Sequence, residues 1–148
     1  MRFYLDSSAL LKRYIAEKGT EKVENIYLEA LNGEATLHFS VWNIGEVLGT
    51  LHKYLTRDWL GEKEHRKARR GFLTETARLI KLKVVQVIPT KSSLLTECWP
   101  IVERHHIYQA DALQIVSAKH SYADQLLTGD HKLAKISNLE DINAIQLT

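Results

Sequence analysis

Four acidic side chains stand where their types and spacing could do chemistry. Asp6 follows the apolar run Phe3-Tyr4-Leu5, and Asp130 follows Leu126-Leu127-Thr128-Gly129. An aspartate just after a strand most often caps a helix or sits in its first turn. If both runs are parallel strands, the two acids also meet at the carboxyl edge of the sheet, where functional groups collect. Asp111 lies in the first turn of a segment, Ile107 to Ala118, that carries apolar side chains around nearly the whole helical wheel. Such a helix is buried, and an ionised carboxylate within it is costly unless paired or metal-bound. The helix dipole offsets only part of that cost. Glu46 is different, because it falls opposite the stripe of Ile44, Val47, Leu48 and Leu51, on a face that reads as solvated. Gly45 and Gly49 beside it imply close packing, since glycine inside a helix costs about 1 kcal/mol against alanine.

Brought together, four carboxylates repel strongly, and some must take up protons or meet a cation. Hard oxygen donors, without Cys and without His at ligand spacing, suit Mg²⁺ or Mn²⁺ rather than zinc. Two divalent ions would cancel the four charges. They would also suit a site that polarises a phosphodiester and activates water for in-line attack.

The elements that must position these groups alternate. Strands are expected at Phe3–Leu5, Thr36–Phe39, Val84–Ile88, Gln125–Thr128 and Ala144–Leu147. Helices are expected from Ser7 or Ser8 to Tyr14, from Thr20 to Leu31, from Val41 through Leu55, and over Glu62 to Lys81. Further helices fall at Lys91–His105, Tyr108–His120 and after Asp130. Ser7 or Ser8 is the expected cap of the first helix, and Ser40 of the third. Strands alternating with helices give an α/β domain, its mostly parallel sheet covered on both faces. With 148 residues and neither repeat nor linker, a single domain over 1–148 is expected.

Composition narrows the setting. One cysteine, Cys98, excludes an internal disulfide and favours a reducing compartment. The longest stretch without a charged residue, Ala35–Gly45, is far shorter than a membrane span, and no apolar signal region precedes Asp6. The net charge is +2, yet Lys53–Lys83 holds ten basic and four acidic side chains, a net of +6, which leaves −4 elsewhere. Such asymmetry fits polyanion binding through Arg66, Lys67, Arg69 and Arg70. On charge alone a solvated helix with internal pairs such as Glu62 to Arg66 fits it better.

Taken in order, Leu5-Asp6-Ser7-Ser8-Ala9-Leu10-Leu11-Lys12, Gly45-Glu46-Val47, Asp111-Ala112-Leu113 and Thr128-Gly129-Asp130-His131-Lys132-Leu133 resemble the acidic blocks of PIN-domain ribonucleases. Length and element order are most similar to the VapC-type toxins of prokaryotic toxin–antitoxin pairs. The resemblance implies a three-layer α/β/α fold around a five-stranded sheet. It implies a cytoplasmic endoribonuclease using one or two Mg²⁺ or Mn²⁺ ions held by Asp6, Glu46, Asp111 and Asp130. It gives Ser8 and Thr128 the role of hydrogen-bonding the first and last aspartates, though Ser8 equally reads as a helix cap. It further implies an antitoxin partner and a homodimer, with the 41–83 helices contributing to either surface. Gln114, where relatives often carry histidine, is a departure that leaves the metal site untouched.

Other readings remain. The quartet could hold one structural ion in a module that binds RNA or protein, or the chain could be an RNA-processing PIN nuclease without an antitoxin. Haloacid-dehalogenase chemistry wants a second aspartate where Ser8 stands, and a dinucleotide fold wants a Gly-rich loop after the first strand. Asp124 precedes its strand and reads as structural. His105 and His106 point apart on a helix, and His131 reads as a surface residue. Trp42, Trp59 and Trp99 read as packing in the core or an interface rather than base-stacking platforms.

Overall fold

The computed structural model describes residues Met1–Thr148. The elements run β1 (Arg2–Leu5), α1 (Ser7–Leu11), α2 (Thr20–Leu31), β2 (Thr36–Ser40), α3 (Val41–Thr56), α4 (Glu62–Lys81), β3 (Val85–Ile88), α5 (Ser92–His105), α6 (Gln109–His120), β4 (Gln125–Thr128), α7 (His131–Leu139) and β5 (Ala144–Gln146). The strands form one sheet in the order β3-β2-β1-β4-β5, every neighbouring pair parallel. The expectation of a mostly parallel sheet therefore sharpens to an entirely parallel one.

Alternation along the strands divides the core into two layers. Phe3, Leu5, Leu37, Phe39, Val85 and Leu127 point to the side where α1 to α4 pack. Tyr4, Ile88 and Leu126 point to the other side, against α5, α6 and α7. A parallel sheet needs both faces covered, because helical crossovers necessarily lie across them. Helix α6 is the most enclosed element, with every residue from Ala112 to Ala118 buried. That is the all-round apolar wheel of its sequence realised in packing.

Local signals act at the element ends. The Ser40 hydroxyl accepts from Trp42 N–H while the Asn43 side chain accepts from Ser40 N–H, the reciprocal arrangement of a capping box. Helix α2 ends at Asn32 and Gly33, where a φ of 78° suits glycine. Asp124 accepts from Arg2 N–H at 2.7 Å and so anchors the start of β1 beside β4, the structural role its position implied. No helix is long and apolar enough to cross a membrane.

Several expectations fail. Asp6, not Ser7 or Ser8, caps α1. A Cβ added to Gly45 or Gly49 would meet open space, so neither glycine marks a close approach. Trp42, Trp59 and Trp99 are 49%, 62% and 53% exposed, so of the two packing roles expected of them the core one fails. No ion pair joins Glu62 to Arg66; on α4 only Arg78 pairs with a carboxylate, that of Glu75.

Candidate functional site

Register decides where the acids fall. Leu5 of β1 pairs with Leu127 of β4, and Asp6 N–H continues the ladder to Leu127 C=O at 3.2 Å. Asp6 thus leaves the sheet beside Thr128, and Asp130 follows two residues later at the start of α7. The carboxylate of Asp6 is 6% exposed and both oxygens are engaged. Oδ1 accepts from Ser8 Oγ at 2.6 Å and from Ala9 N–H at 2.9 Å, while Oδ2 accepts from the Thr128 hydroxyl. Ser8 in turn accepts from Gly129 N–H at 2.8 Å, and Thr128 accepts from Asp130 N–H at 3.0 Å. Two hydroxyls therefore knit the ends of β1 and β4 into one hydrogen-bonded corner. The corner is tight, since a Cβ on Gly129 would come within 3.3 Å of Ser8 Oγ and of the Lys12 side chain.

Asp130 is an exposed N-cap, its Oδ1 accepting from Lys132 and Leu133 N–H. Capping is thus observed at both strand-end aspartates, and at Asp130 it occupies only one oxygen. Asp111 is half-buried in the first turn of α6, and its carboxylate makes no hydrogen bond within the chain. Glu46 is half-buried too, despite the solvated face that periodicity assigned it. Its Oε1 accepts from Ser7 Oγ at 3.1 Å and from Asn43 Nδ2 at 3.2 Å, which turns it toward the end of β1.

Burial and repulsion show in the acidities. Loss of water raises the Asp6 carboxyl from its ordinary 3.8 to about 6, against the lowering effect of Ser8, Thr128 and Ala9. The nearby charge of Asp130 adds to the rise. Asp111 is also raised, first by burial and then by Asp130, with Lys132 acting the other way. None of the four carboxylates has an ion-pair partner within 4 Å. No three His, Cys, Asp or Glu side chains are gathered tightly enough to form a ready metal cage. The donor set nevertheless fits a hard cation: all oxygen, with Asp130 opposing the charges of Asp6 and Asp111, and with Asp111 and one oxygen each of Asp130 and Glu46 uncommitted. A divalent ion would offset both the burial that chiefly raises Asp6 and Asp111 and the Asp130 charge that adds to it.

A buried polar cluster lies behind these acids. Tyr4 Oη donates to Gln114 Oε1 at 2.8 Å, and Asn43 Nδ2 donates to the same oxygen at 2.8 Å. Asn43 Oδ1 faces Tyr4 Oη at 3.3 Å, and Gln114 Nε2 reaches Ala110 C=O at 3.3 Å. Tyr4 and Asn43 were not picked out from the sequence, and Gln114 was noted there only as a departure from relatives that left the metal site untouched. The capping offset from Ser40 to Asn43 was the one local signal available there.

The basic candidates stand apart from the acids. Arg66, Lys67, Arg69 and Arg70 are all exposed on α4, along a depression of about 860 Å³ between His65 and Thr74. A second depression, of about 530 Å³, opens beside Glu46 and is lined by Val41, Trp42, Gly45 and Thr90. His105 approaches Glu140 at 3.4 Å, and His131 Nδ1 lies 2.9 Å from Gln146, so neither histidine faces the acids.

The PIN-domain family profile matches residues 3–139, and the chain belongs to that family. Its fold is similar to FitAcB from Neisseria gonorrhoeae, at 15% identity and a TM-score of 0.67 over 97% of this chain and 96% of that one. It is similar to VapBC2 from Rickettsia felis, bound there to a promoter DNA fragment, at 18% identity and a TM-score of 0.64 over the whole of both chains. A third likeness is to the sarcin-ricin loop cleaving toxin VapC20 of Mycobacterium tuberculosis, at 15% identity and a TM-score of 0.62 over 90% and 93%. At these identities the likeness is one of fold. No curated protein sequence matches the chain.

Proposed function

We propose that residues 1–148 act as one PIN domain and that the chain is an endoribonuclease dependent on Mg²⁺ or Mn²⁺. The observation that carries this reading is the corner of Asp6, Ser8, Thr128 and Asp130, a buried carboxylate held by two hydroxyls with no ion-pair partner within 4 Å. Asp6, Glu46, Asp111 and Asp130 would hold one or two ions. A hard cation bound there polarises a phosphodiester and makes water nucleophilic near neutral pH. Ser8 and Thr128 fix the Asp6 carboxylate so that both oxygens keep one orientation, and the ionised form of Asp6 is the one that serves. Asp130 uses one oxygen as a helix cap and keeps the other for the site.

The exposed cations of α4, Arg66, Lys67, Arg69 and Arg70, offer contacts to RNA phosphates, which bind chiefly by counterion release. The indole of Trp42, exposed beside Glu46, offers a face on which a base can stack. The likeness to VapBC2 and VapC20 supports a toxin of a toxin–antitoxin pair, with an antitoxin and a second copy of the chain as partners on α3 and α4.

The test is cleavage of RNA by the purified, partner-free protein with Mn²⁺ or Mg²⁺, beside Asp6→Asn and Asp111→Asn. Cleavage by the wild type alone is expected. No cleavage with either ion, or equal cleavage by the variants, overturns the activity or its site.

A further inference from the structure

The buried cluster behind the acids has a simple relation to them. Tyr4 on β1 precedes by two residues Asp6, whose extended backbone continues the strand, Asn43 precedes Glu46 by three on α3, and Gln114 follows Asp111 by three on α6. Two residues along a strand return to the same face, and three along a helix return to nearly the same side. Each member of the cluster therefore sits one structural step behind one carboxylate, on three elements that share no turn or loop near the site. All three are essentially shut off from solvent, with exposures of 0%, 0% and 3%.

Its hydrogen bonds close with little slack. Gln114 Oε1 receives both the Tyr4 phenol and one Asn43 amide hydrogen, at 2.8 Å each. The second Asn43 amide hydrogen is directed to Glu46 Oε1 at 3.2 Å, and Asn43 Oδ1 receives Ser40 N–H at 2.8 Å. Gln114 Nε2 reaches back to Ala110 C=O, within the turn that carries Asp111. One amide oxygen thus ties β1, α3 and α6 together behind Asp6 at the end of β1, Glu46 on α3 and Asp111 on α6. An apolar trio of similar volume would fill the space equally well but would specify no register among the elements.

We propose that Gln114 is a positioning residue for the cation site, setting the relative placement of Asp6, Glu46 and Asp111 by holding Tyr4 and Asn43. It touches neither ion nor substrate and acts through the elements it joins. The proposal rests on the reading of the quartet as a divalent-cation site.

The experiment titrates Mn²⁺ into full-length wild type, Gln114→Met and Tyr4→Phe by calorimetry, and melts each metal-free protein. A control, Leu94→Ala, perturbs the same apolar layer on α5, away from the network. Gln114→Met keeps the volume and removes the shared acceptor; Tyr4→Phe removes one donor and leaves the Asn43 bond in place. Loss of supporting contacts around metal ligands typically costs 10- to 100-fold in affinity. Gln114→Met is expected to bind Mn²⁺ about tenfold or more weakly, and Tyr4→Phe by a smaller factor. The control is expected to lower the melting temperature with wild-type affinity, and excess Mn²⁺ is expected to restore cleavage by Gln114→Met toward the wild-type kcat. If both network variants are less stable but bind Mn²⁺ like the wild type, the network is structural only and the proposal is overturned. If Gln114→Met does not fold, the Tyr4→Phe affinity decides, and an unchanged value overturns it. If the wild type itself binds no Mn²⁺, the cation-site reading fails first and the positioning role falls with it.

Discussion

Two shielded carboxylates, Asp6 and Glu75, sit in neighbouring parts of the molecule and behave in opposite ways. Glu75 on α4 accepts from Arg13 Nε and Nη2, each at 3.0 Å, and from Tyr14 Oη at 2.8 Å, with Arg78 at 3.8 Å. Burial works against its charge, but the Arg13 and Tyr14 hydrogen bonds and the two guanidinium charges more than offset it, and Glu75 lies below its ordinary range. Asp6 accepts as many hydrogen bonds, from Ser8, Ala9 and Thr128, and still lies above its ordinary range. Hydrogen-bond number therefore does not separate them. The chain supplies Glu75 with a cation, and it supplies Asp6 with another carboxylate. A half-buried acid whose counter-charge is built in is complete as a structural tie. One that lacks it must take up a proton or meet a cation from outside.

The most severe way to break this comparison is to neutralise each acid in turn. Asp6→Asn is expected to lower metal-dependent RNA cleavage by about a hundredfold or more, the scale at which disturbed metal ligation shows. The metal-free fold is expected to keep or gain stability, because a desolvated charge has been removed. Cleavage assays with Mn²⁺ and urea melts without it check the two halves. A variant that loses stability and keeps cleavage makes Asp6 a structural tie like Glu75, and the contrast dissolves.

Titration sharpens the same contrast with a sign. A carboxyl raised in the folded state contributes stability that is present below its unfolded pKa and lost as pH rises through the folded one. On Asp6's account the metal-free protein should therefore lose about 2 kcal/mol between pH 4 and pH 6, out of about 3 kcal/mol in all, read as the difference between wild type and Asp6→Asn. Saturating Mn²⁺ should remove that loss, and Mn²⁺ affinity should fall as pH drops through 6. Glu75 is depressed, so its contribution is present above its unfolded pKa and lost as pH falls. Two difference curves of the same sign would contradict the reading of the two corners.

The third expectation concerns the completed pair. Glu75→Gln removes the counter-charge of Arg13 and replaces one of the two oxygens to which Arg13 and Tyr14 donate with an amide nitrogen, and Arg13 is already stacked over the Tyr27 ring at 4.7 Å. A loss of about 2 kcal/mol is expected in urea unfolding, scaled down from a fully buried pair because Arg13 is partly solvated. Cleavage at saturating metal and RNA should stay within about twofold of wild type, since this corner holds α4 against the segment that follows α1 and carries no reacting group. A hundredfold loss of cleavage there would place Glu75 within the site.

What could be read beforehand divides along physical lines. Element positions were legible because hydrophobic period and capping residues are local: α4 spans Glu62–Lys81 and β4 Gln125–Thr128, as their sequences imply. The burial of α6 was legible for the same reason. Side-chain networks were not, because Tyr4, Asn43 and Gln114 meet across separations of 39, 71 and 110 residues. Glu46 shows the boundary well. Its helical face reads as solvated, yet α3 begins where β2 leaves the sheet, and Ser7 and Asn43 bring its carboxylate to the end of β1. Gly45 and Gly49 misled in the opposite direction, since nothing crowds them. Ser8 read equally as cap or support, and the cap proved to be Asp6 itself, leaving the Ser8 hydroxyl to serve Asp6 and Gly129.

The smallest expected effect tests whether cations without partners are as telling as anions without them. Arg69 and Arg70 are exposed on α4 and pair with no carboxylate, the mirror image of Asp6 on the outer surface. Exposed charges are well solvated, so their lack of partners costs the fold little, and replacing both with glutamate should change stability by well under about 1 kcal/mol. Their contribution to RNA binding would be electrostatic and independent of sequence. Each lost phosphate contact on a single strand lowers the slope of log affinity against log salt by about 0.7. The double charge reversal should therefore reduce that slope by about 1 to 1.5 and weaken binding at low salt, with kcat unchanged because neither residue approaches the carboxylates. Measuring affinity for one RNA across a salt series separates this outcome from a change in the site itself. An unaltered slope, together with unaltered antitoxin binding, would leave the +6 of residues 53–83 as a solvated helix face, and an unpartnered charge would then mark function only where burial makes it costly.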